Sequence, residues 1–537
     1  MPLPNDSETL WPPIDEDLAE AMEEWAAWYG GDATTLANLY ASIVGNVTGS
    51  RFWARSVAED KRVQLHVPIA SDLCSMSAAM LFGESPNIFI EEASVPEDVD
   101  NTTVKAPAGK AIQPTTGGAD YEVKTNPEAL KTQERLQDIM DKNSFFNLLP
   151  EGAESAAAMG GVFLKVDWDI LLADYPIITL VQADAAIPEF KFRILTAVTF
   201  WRRVGDLTQD SVYYRHLERH EMDEAGNGVI LHGLYKSSDE EKLGSKVSLS
   251  EVEETKGLVP MFNTGIPGLL VRYVPNSRPN KRWRNLDTGL SDLSGSEGLM
   301  DSLDEAYTGL MRDCRLGQGR LLIPEQFLKQ DGTSFSFDLD KEAYSTLDID
   351  PMTEKAEITM NQFDIRSEDY LAVIRELVTR IVGVAGYSPQ TFGMEIEGRG
   401  ESGIALRVRE RKSLSTAQKK SRFWKTAITD ILELALIVDA QILNSGVTPF
   451  RPTVEIADGI VTDILELSQT VTALKAADAV SRYQMIKMIH PDWNDADIAQ
   501  EINRIAKDKQ AAQAMDAEFM IGQDKLIGTE DTNKETP

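Results

Sequence analysis

The stretches 296-SEGLMDSLDEAYTGLMRDCRLGQGR-320 and 367-SEDYLAVIRELVTRIVGVA-385 carry the reading of the fold. In the first, Leu299, Leu303, Tyr307, Leu310 and Cys314 recur at steps of three or four, which predicts a helix with one apolar face. In the second, Tyr370, Ile374, Leu377, Ile381 and Val384 form a similar stripe. Gly386 and Pro389 predict where that helix ends. Between the two lie β-rich runs, 320–340 and 353–363, with the hairpin signal Asp331-Gly332. A Gly-rich segment, 386-GYSPQTFGMEIEGRGESG-403, then leads into a helix expected from about Ile404 to Leu443. At 1.5 Å per residue such a helix spans roughly 60 Å, more than a compact domain needs.

Outward from this centre, Asp15 is placed to cap a helix with Leu18, Met22, Trp25 and Tyr29 on one stripe, ending at Gly30-Gly31. Residues 128–160 read as helical, with Leu130, Leu136, Ile139 and Met140 apolar. From Gly161 to about Val274 the period changes to that of strands: Val162–Trp168, Ile177–Gln182, Lys191–Val198, Val212–Glu218 and Val229–Tyr235. A β-rich block folded between helical segments makes the class α+β. Residues 459–475 and 479–506 read as two further helices, the second interrupted near His490-Pro491.

This order of elements resembles the portal proteins of tailed bacteriophages. The stretches 22-MEEWAAWYGGD-32 and 62-RVQLHVPIASDLCSMSAAMLFGESPNIFIEE-92 are similar to that family's opening W-x-x-W-Y-x-G-D pattern and its early helix running into a strand. The resemblance implies a portal-type α+β architecture: a wing, two stem helices, a small α/β clip, a tunnel loop with a long kinked helix, and a helical C-terminal crown. Its boundaries fall at 1–14 for a disordered arm and 15–285 for the wing, with a mobile insertion near 93–127. They continue at 286–318 for the first stem helix, 319–365 for the clip and 366–385 for the second stem helix. The tunnel loop takes 386–403, the long helix and following strand 404–458, the crown 459–507 and a flexible tail 508–537.

The resemblance also implies a function: a homo-oligomeric ring of twelve subunits at one capsid vertex, through which double-stranded DNA passes without sequence specificity during packaging and ejection. Expected partners are the large terminase subunit, a head–tail connector or adaptor protein, and the major capsid and scaffolding proteins. By the same resemblance Gln390, Phe392, Met394, Glu395, Ile396, Glu397 and Arg399 belong to the tunnel loop that touches DNA. Arg320, Pro324, Glu325, Asp331 and Phe335 are expected on the clip's docking surface. The implied location is the portal vertex of the virion, after assembly in the host cytoplasm.

Composition bounds the alternatives. With 53 basic and 86 acidic residues the net charge is −33, which argues against a protein that grips phosphates tightly, since such grip needs clustered Lys and Arg. It is compatible with a channel that must not hold a polyanion, and equally with simple solubility. Against this background 407-RVRERKSLSTAQKKSRFWK-425 is a local inversion. Arg407, Arg409, Arg411, Lys412, Lys419 and Lys420 belong to it, together with Arg422 and Lys425. Three readings of this segment stay open: a solvated helix face, pairing with acidic surface on a neighbouring subunit, or contact with DNA phosphates. A second basic patch, Arg278, Lys281, Arg282 and Arg284 around Trp283, reads first as a solvated loop.

No catalytic constellation emerges. There is no G-x-x-x-x-G-K-[ST] phosphate loop and no G-x-S-x-G elbow, so neither an ATP-driven motor nor a serine hydrolase is indicated. His216 and His220 in 215-RHLERHE-221 fall in a strand-like run, where positions four apart lie roughly 13 Å apart, too far to share a metal. No metal and no cofactor are expected. Cys74 and Cys314 read as buried free thiols of a reducing compartment. No stretch approaches a membrane span, and 1-MPLPNDSETLWPPIDED-17 lacks the features of a signal peptide. The competing functional reading is a soluble α+β minor virion protein or enzyme with an unrecognised site.

Overall fold

The computed structural model describes residues 3–4, 8–43, 52–54, 64–91, 95–96, 123–124, 126–205, 212–316, 320–322, 329–331, 334–336, 359–361, 365–394, 403–456, 464–477, 479–490, 493, 498 and 500–507. In chain order the helices are α1 (Glu16–Gly30), α2 (Ala33–Ile43), α3 (Ile69–Phe82), α4 (Pro127–Lys142), α5 (Phe145–Met159), α6 (Glu297–Leu316), α7 (Ser367–Ala385), α8 (Gly403–Gln441), α9 (Ile464–Ala476) and α10 (Arg482–Ile489). The first strands are β1 (Asn87–Phe89), β2 (Val95–Pro96) and β3 (Val123–Lys124). The β-rich block follows with β4 (Gly161–Asp167), β5 (Ile177–Gln182), β6 (Ala186–Lys191), β7 (Ile194–Val204), β8 (Tyr213–Met222), β9 (Asn227–Ser237), β10 (Ser245–Val247), β11 (Met261–Pro267) and β12 (Val271–Pro275). Between α6 and α7 come β13 (Arg320–Leu322), β14 (Lys329–Asp331), β15 (Ser334–Ser336) and β16 (Thr359–Asn361), and β17 (Thr453–Glu455) follows α8. The class is α+β, as expected.

The chain forms two compact units: Met1–Asp15, Ser77–Leu290 and Ala417–Pro537 in one, Glu16–Met76 and Ser291–Thr416 in the other. The first unit is layered around β4. This strand is the centre of an antiparallel sheet ordered β12-β4-β5 and is buried on both faces. Val162, Leu164 and Val166 face a helical core that includes Leu136, Leu149, Trp424, Ile428 and Leu432 from α4, α5 and α8. The alternate residue Phe163 packs edge-on against Phe200 of the second sheet, ring centroids 5.6 Å apart. That sheet runs β10-β9-β8-β7-β6, with β11 also paired to β9. Each fully buried aliphatic side chain here contributes roughly 1.5–3 kcal/mol.

The second unit is built on an antiparallel pair, α6 and α7. Asp313 binds Arg366 at 2.9 Å, and a Cβ on Gly309 would lie 3.1 Å from the Tyr370 ring. Glycine at 309 leaves room for the Tyr370 ring to lie against the α6 backbone. Beyond the far ends of this pair, β13 pairs with β16, and β14 with β15 in a register placing Asp331 opposite Ser334. That register is the hairpin expected at Asp331; Gly332 itself lies outside the described residues.

Several expectations are corrected. The segment Glu16–Met76, expected in the wing, clusters with α6 and α7. Residues 8–14, expected disordered, are docked on the β-rich sheet: Trp11 N–H donates to Glu241 O at 2.9 Å, and the Trp11 ring is buried against Trp201 at 6.3 Å. A large aromatic outweighs the local Pro content. The strand expected at Lys191–Val198 is two strands joined by a tight turn, with Phe192 and Arg193 at φ 54° and 67°. The helical stretch 128–160 breaks at Asn143–Ser144, Ser144 having φ 49°. The α6 stripe is rotated: Met300 and Leu303 are fully buried while Tyr307 is 38 % exposed. Likewise Val384 of α7 is half exposed, and Cys314 is only half-buried whereas Cys74 is fully buried. The expected insertion near 93–127 and the tail 508–537 lie almost wholly outside the described residues, apart from β2 paired with β3. No described helix is long and apolar enough to cross a membrane.

Candidate functional site

Glu297, Asp301, Asp304 and Thr308 recur along one face of α6, and each holds a piece of the N-terminal segment or of the turn leading into the helix. Trp25 Nε1 donates to Glu297 Oε1 at 3.0 Å, and Gly295 N–H donates to Glu297 Oε2 at 2.7 Å. The Phe52 and Trp53 amides donate to Asp301 at 3.1 and 3.4 Å. Asp304, fully buried, accepts from Val67 N–H at 2.7 Å and Trp53 Nε1 at 3.2 Å, with His66 Nδ1 at 2.8 Å. Leu65 N–H donates to Thr308 Oγ1 at 3.1 Å. Burying a carboxylate is costly unless every lone pair finds a donor, and this ladder supplies donors at each rung.

The W-x-x-W-Y-x-G-D residues acquire individual jobs within the same unit. Trp25 binds Glu297, while Trp28 Nε1 donates to Tyr40 Oη, which donates in turn to Glu24. Gly31 takes φ +67°, and a Cβ there would meet the His66 ring at 3.2 Å. Asp32 caps α2 by accepting from Thr35 N–H and Oγ1 at 2.7 and 2.8 Å, bonds that hold its carboxyl below the usual range. The buried stripe of α1 runs through Trp25 and Trp28, not Tyr29.

The segment after α7 is more ordered at its start than a Gly-rich linker suggests. Gly386 ends the helix at φ +97°, and Pro389–Phe392 forms a 3-10 turn. Thr416 Oγ1 donates to Gly386 O at 2.6 Å, Ser388 N–H donates to Ser413 Oγ at 2.7 Å, and Lys412 Nζ donates to Gly383 O at 2.6 Å. Tyr387 is buried and its hydroxyl donates to Asp292 at 3.2 Å. Gln390, Phe392 and Met394 are therefore half-buried residues of an anchored turn. Glu395, Ile396, Glu397 and Arg399 lie outside the described residues.

On α8, Arg411, Lys412 and Lys419 are exposed, and Arg407 and Arg409 are described in backbone only. Lys420 is a correction: it is 3 % exposed and donates to Ser77 Oγ at 2.8 Å, so it does not belong to a free basic face. Arg278 of the second patch is half-buried, donating to the Asp287 carbonyl and lying over the Tyr273 ring. Of the expected docking residues, Arg320, Asp331 and Phe335 sit in β13, β14 and β15, described in backbone only. Pro324 and Glu325 fall outside the described residues.

His216 and His220 do lie on a strand, β8, and among the described residues no group of His, Cys, Asp and Glu is arranged to hold a metal. They belong to a polar seam between the two sheets of the first unit. Lys165 Nζ donates to Glu218 at 2.7 Å and Asp167 at 3.1 Å, and His220 Nε2 contacts the same Glu218 oxygen at 2.7 Å. His216 stacks on His232, their nitrogens 3.2 Å apart. Burial pushes the Glu218 carboxyl up, but the His220 hydrogen bond and the Lys165 charge overcome it and hold it well below the carboxylate range. Burial, reinforced by His232, pushes His216 down to about 4. This seam has the partners of a structural network.

The family model for "Phage portal protein, SPP1 Gp6-like" matches residues 15–515. None of the curated proteins compared matches the chain. Among solved structures, a chain of the neck of an empty GTA particle, computed with C6 symmetry, aligns with TM-score 0.36 at 10 % identity. It covers 79 % of this chain and 90 % of its own. A chain of the neck of a native GTA particle, computed with C12 symmetry, aligns with TM-score 0.30 at 11 % identity, covering 64 % and 79 %.

Proposed function

Because the chain belongs to the SPP1 Gp6-like phage portal protein family, we propose that it closes into a ring at one capsid vertex and forms the channel for DNA packaging and ejection. The family is structural rather than catalytic. In this reading α6 and α7 line the bore, the segment after Met394 narrows it, and the β13–β16 region docks the terminase and later the head–tail connector. The family match over residues 15–515 carries the reading. Uncovered apolar surface on the α6–α7 pair supports it: Leu371 is 44 % exposed, Val373 51 % and Val384 51 % in the single chain. Neighbouring copies give such surface a place to go.

Negative-stain microscopy of the purified protein should show rings with a central hole. A monodisperse monomer across salt and concentration refutes the ring. Removing 395–399 should leave the ring intact and block packaging; normal packaging refutes the assignment of that segment to the DNA path.

A further inference from the structure

The turn between β4 and β5 presents Ile170, Leu171 and Leu172 at 71, 96 and 78 % exposure. Three consecutive aliphatic residues in water are an uncommon feature of a finished surface. The turn is also built to hold its shape. Asp169 Oδ1 accepts from Leu171 N–H at 2.9 Å, and Asp169 O accepts from Leu172 and Ala173 N–H at 3.0 and 2.9 Å. At its base Arg135 donates to Asp174 O at 2.8 Å, fixing the turn to α4. The result is a rigid apolar knob flanked by two carboxylates, Asp169 and Asp174.

Elsewhere in the same unit, beside the edge strand β12, lies a cleft of about 510 Å³ whose lining includes Phe190, Ile194 and Phe423. Arg193, Arg272 and Arg278 line it; Arg272 pairs with Asp430 at 3.5 Å and Arg193 with Asp287 at 3.6 Å, so three cations face two carboxylates and the cleft keeps a positive excess. The cleft is the inverse of the knob in both respects: it offers apolar walls to three aliphatic side chains and cations to the flanking acids. With Leu171 almost fully exposed, the knob does not fill the cleft of its own chain. The cleft follows β12, one edge of the sheet, while the knob joins the other two strands. Two different, complementary patches on one protomer make a heterologous contact, the kind that closes a ring of identical copies.

We propose that the 169–174 knob of one copy seats in the Arg193–Arg272–Arg278 cleft of the next, forming a repeated junction between neighbouring subunits. The proposal rests on the ring reading above and names one of its contacts. Leu171→Asp and Ile194→Asp test it, since Leu171 and Ile194 are both exposed and the single chain should keep its circular dichroism and melting temperature. Each variant alone should lose ring assembly, its association weakened on the order of 30-fold or more, as for a central interface residue. Mass photometry of an equimolar mixture should then show dimers that neither variant forms alone, because the mixture retains one intact knob and one intact cleft. If the wild type forms rings and Leu171→Asp forms them equally well at the same concentrations, the junction is refuted and the ring stands. If the wild type forms no ring, the ring reading and the junction fail together.

Discussion

Asp304→Ala is the substitution whose cost the structure defines best. The carboxylate is fully buried, and its two oxygens serve Val67 N–H, Trp53 Nε1 and His66 Nδ1. Truncation leaves those groups facing an apolar gap, and His66 already has Nε2 buried without a partner. A stranded buried donor costs about 1–3 kcal/mol, and partial relaxation brings three of them to roughly 3–5 kcal/mol. Asp304→Asn separates charge and shape from hydrogen bonding. Its carbonyl still serves Val67, but the amide N–H₂ then meets the Trp53 donor, so roughly half the loss should remain. Hydrogen exchange at the Val67 amide reads the effect locally. At 1.36 kcal/mol per decade, a 3 kcal/mol loss speeds exchange through opening on the order of 150-fold. Val67 exchange in Asp304→Ala within twofold of wild type, with an unshifted melting temperature, refutes the claim that α6 carboxylates hold the N-terminal segment.

Lys420→Glu should lower the melting temperature by the equivalent of about 3–5 kcal/mol by placing an unpaired acid where a buried cation sat, whereas exposed Lys419→Glu should change stability by no more than about 0.5 kcal/mol; equal shifts refute the buried role of Lys420. Gly386→Ala combines φ +97° with a Cβ 3.0 Å from Thr416 Oγ1, while Gly393→Ala has φ +71° and open space, so Gly386→Ala should be the more damaging, by on the order of 1 kcal/mol in thermal unfolding; equal losses refute a steric role for Thr416. Burial and His232 depress His216 to about 4, so its neutral form is the folded one: this contribution is complete above the unfolded value near 6.5 and is lost as pH falls through about 4. Denaturation between pH 6.5 and 4 should therefore show an acid slope that His216→Phe flattens, and an unchanged slope refutes the assignment.

The order α6, β-rich excursion, α7, α8 was legible because long helices repeat their pattern over several turns and Gly386 marks an end unambiguously. Lys420 was read by its charge rather than by its position, and so was placed on the basic face although it is buried. Ser413, Ala417, Lys420, Trp424 and Ile428 recur at steps of three and four, and all five are buried. The α6 ladder was present as spacing, with Glu297, Asp301, Asp304 and Thr308 on one face, but a carboxylate announces burial only when its donors are known. Those donors come from Trp25, Phe52, Trp53, Leu65 and Val67, 237 to 272 positions away. The turn at Phe192-Arg193 carried no signal, since neither residue is one that favours positive φ. The docking of Trp11 depended on a sheet that forms from residues 186–247.

The two units solve the problem of buried charge differently, and the difference bears on the proposed channel. In the first unit acids are met by cations: Lys165 with Glu218, Arg219 with Glu189, Arg135 with Asp439. In the second, Glu297, Asp301 and Asp304 of α6 accept from indole and backbone N–H groups, with His66 beside Asp304, and Arg366 pairs with Asp313 near the other end of the helix. Helices α6 and α7 together carry eight carboxylates and four arginines. Had lysines anchored the N-terminal segment, that excess would have been cancelled at the helices meant to line the bore. Anchoring largely through indole and backbone N–H groups leaves most of the acidic excess in place. In the proposed ring, this excess would repel a polyanion along the bore and oppose the counterion-releasing contacts that make DNA stick.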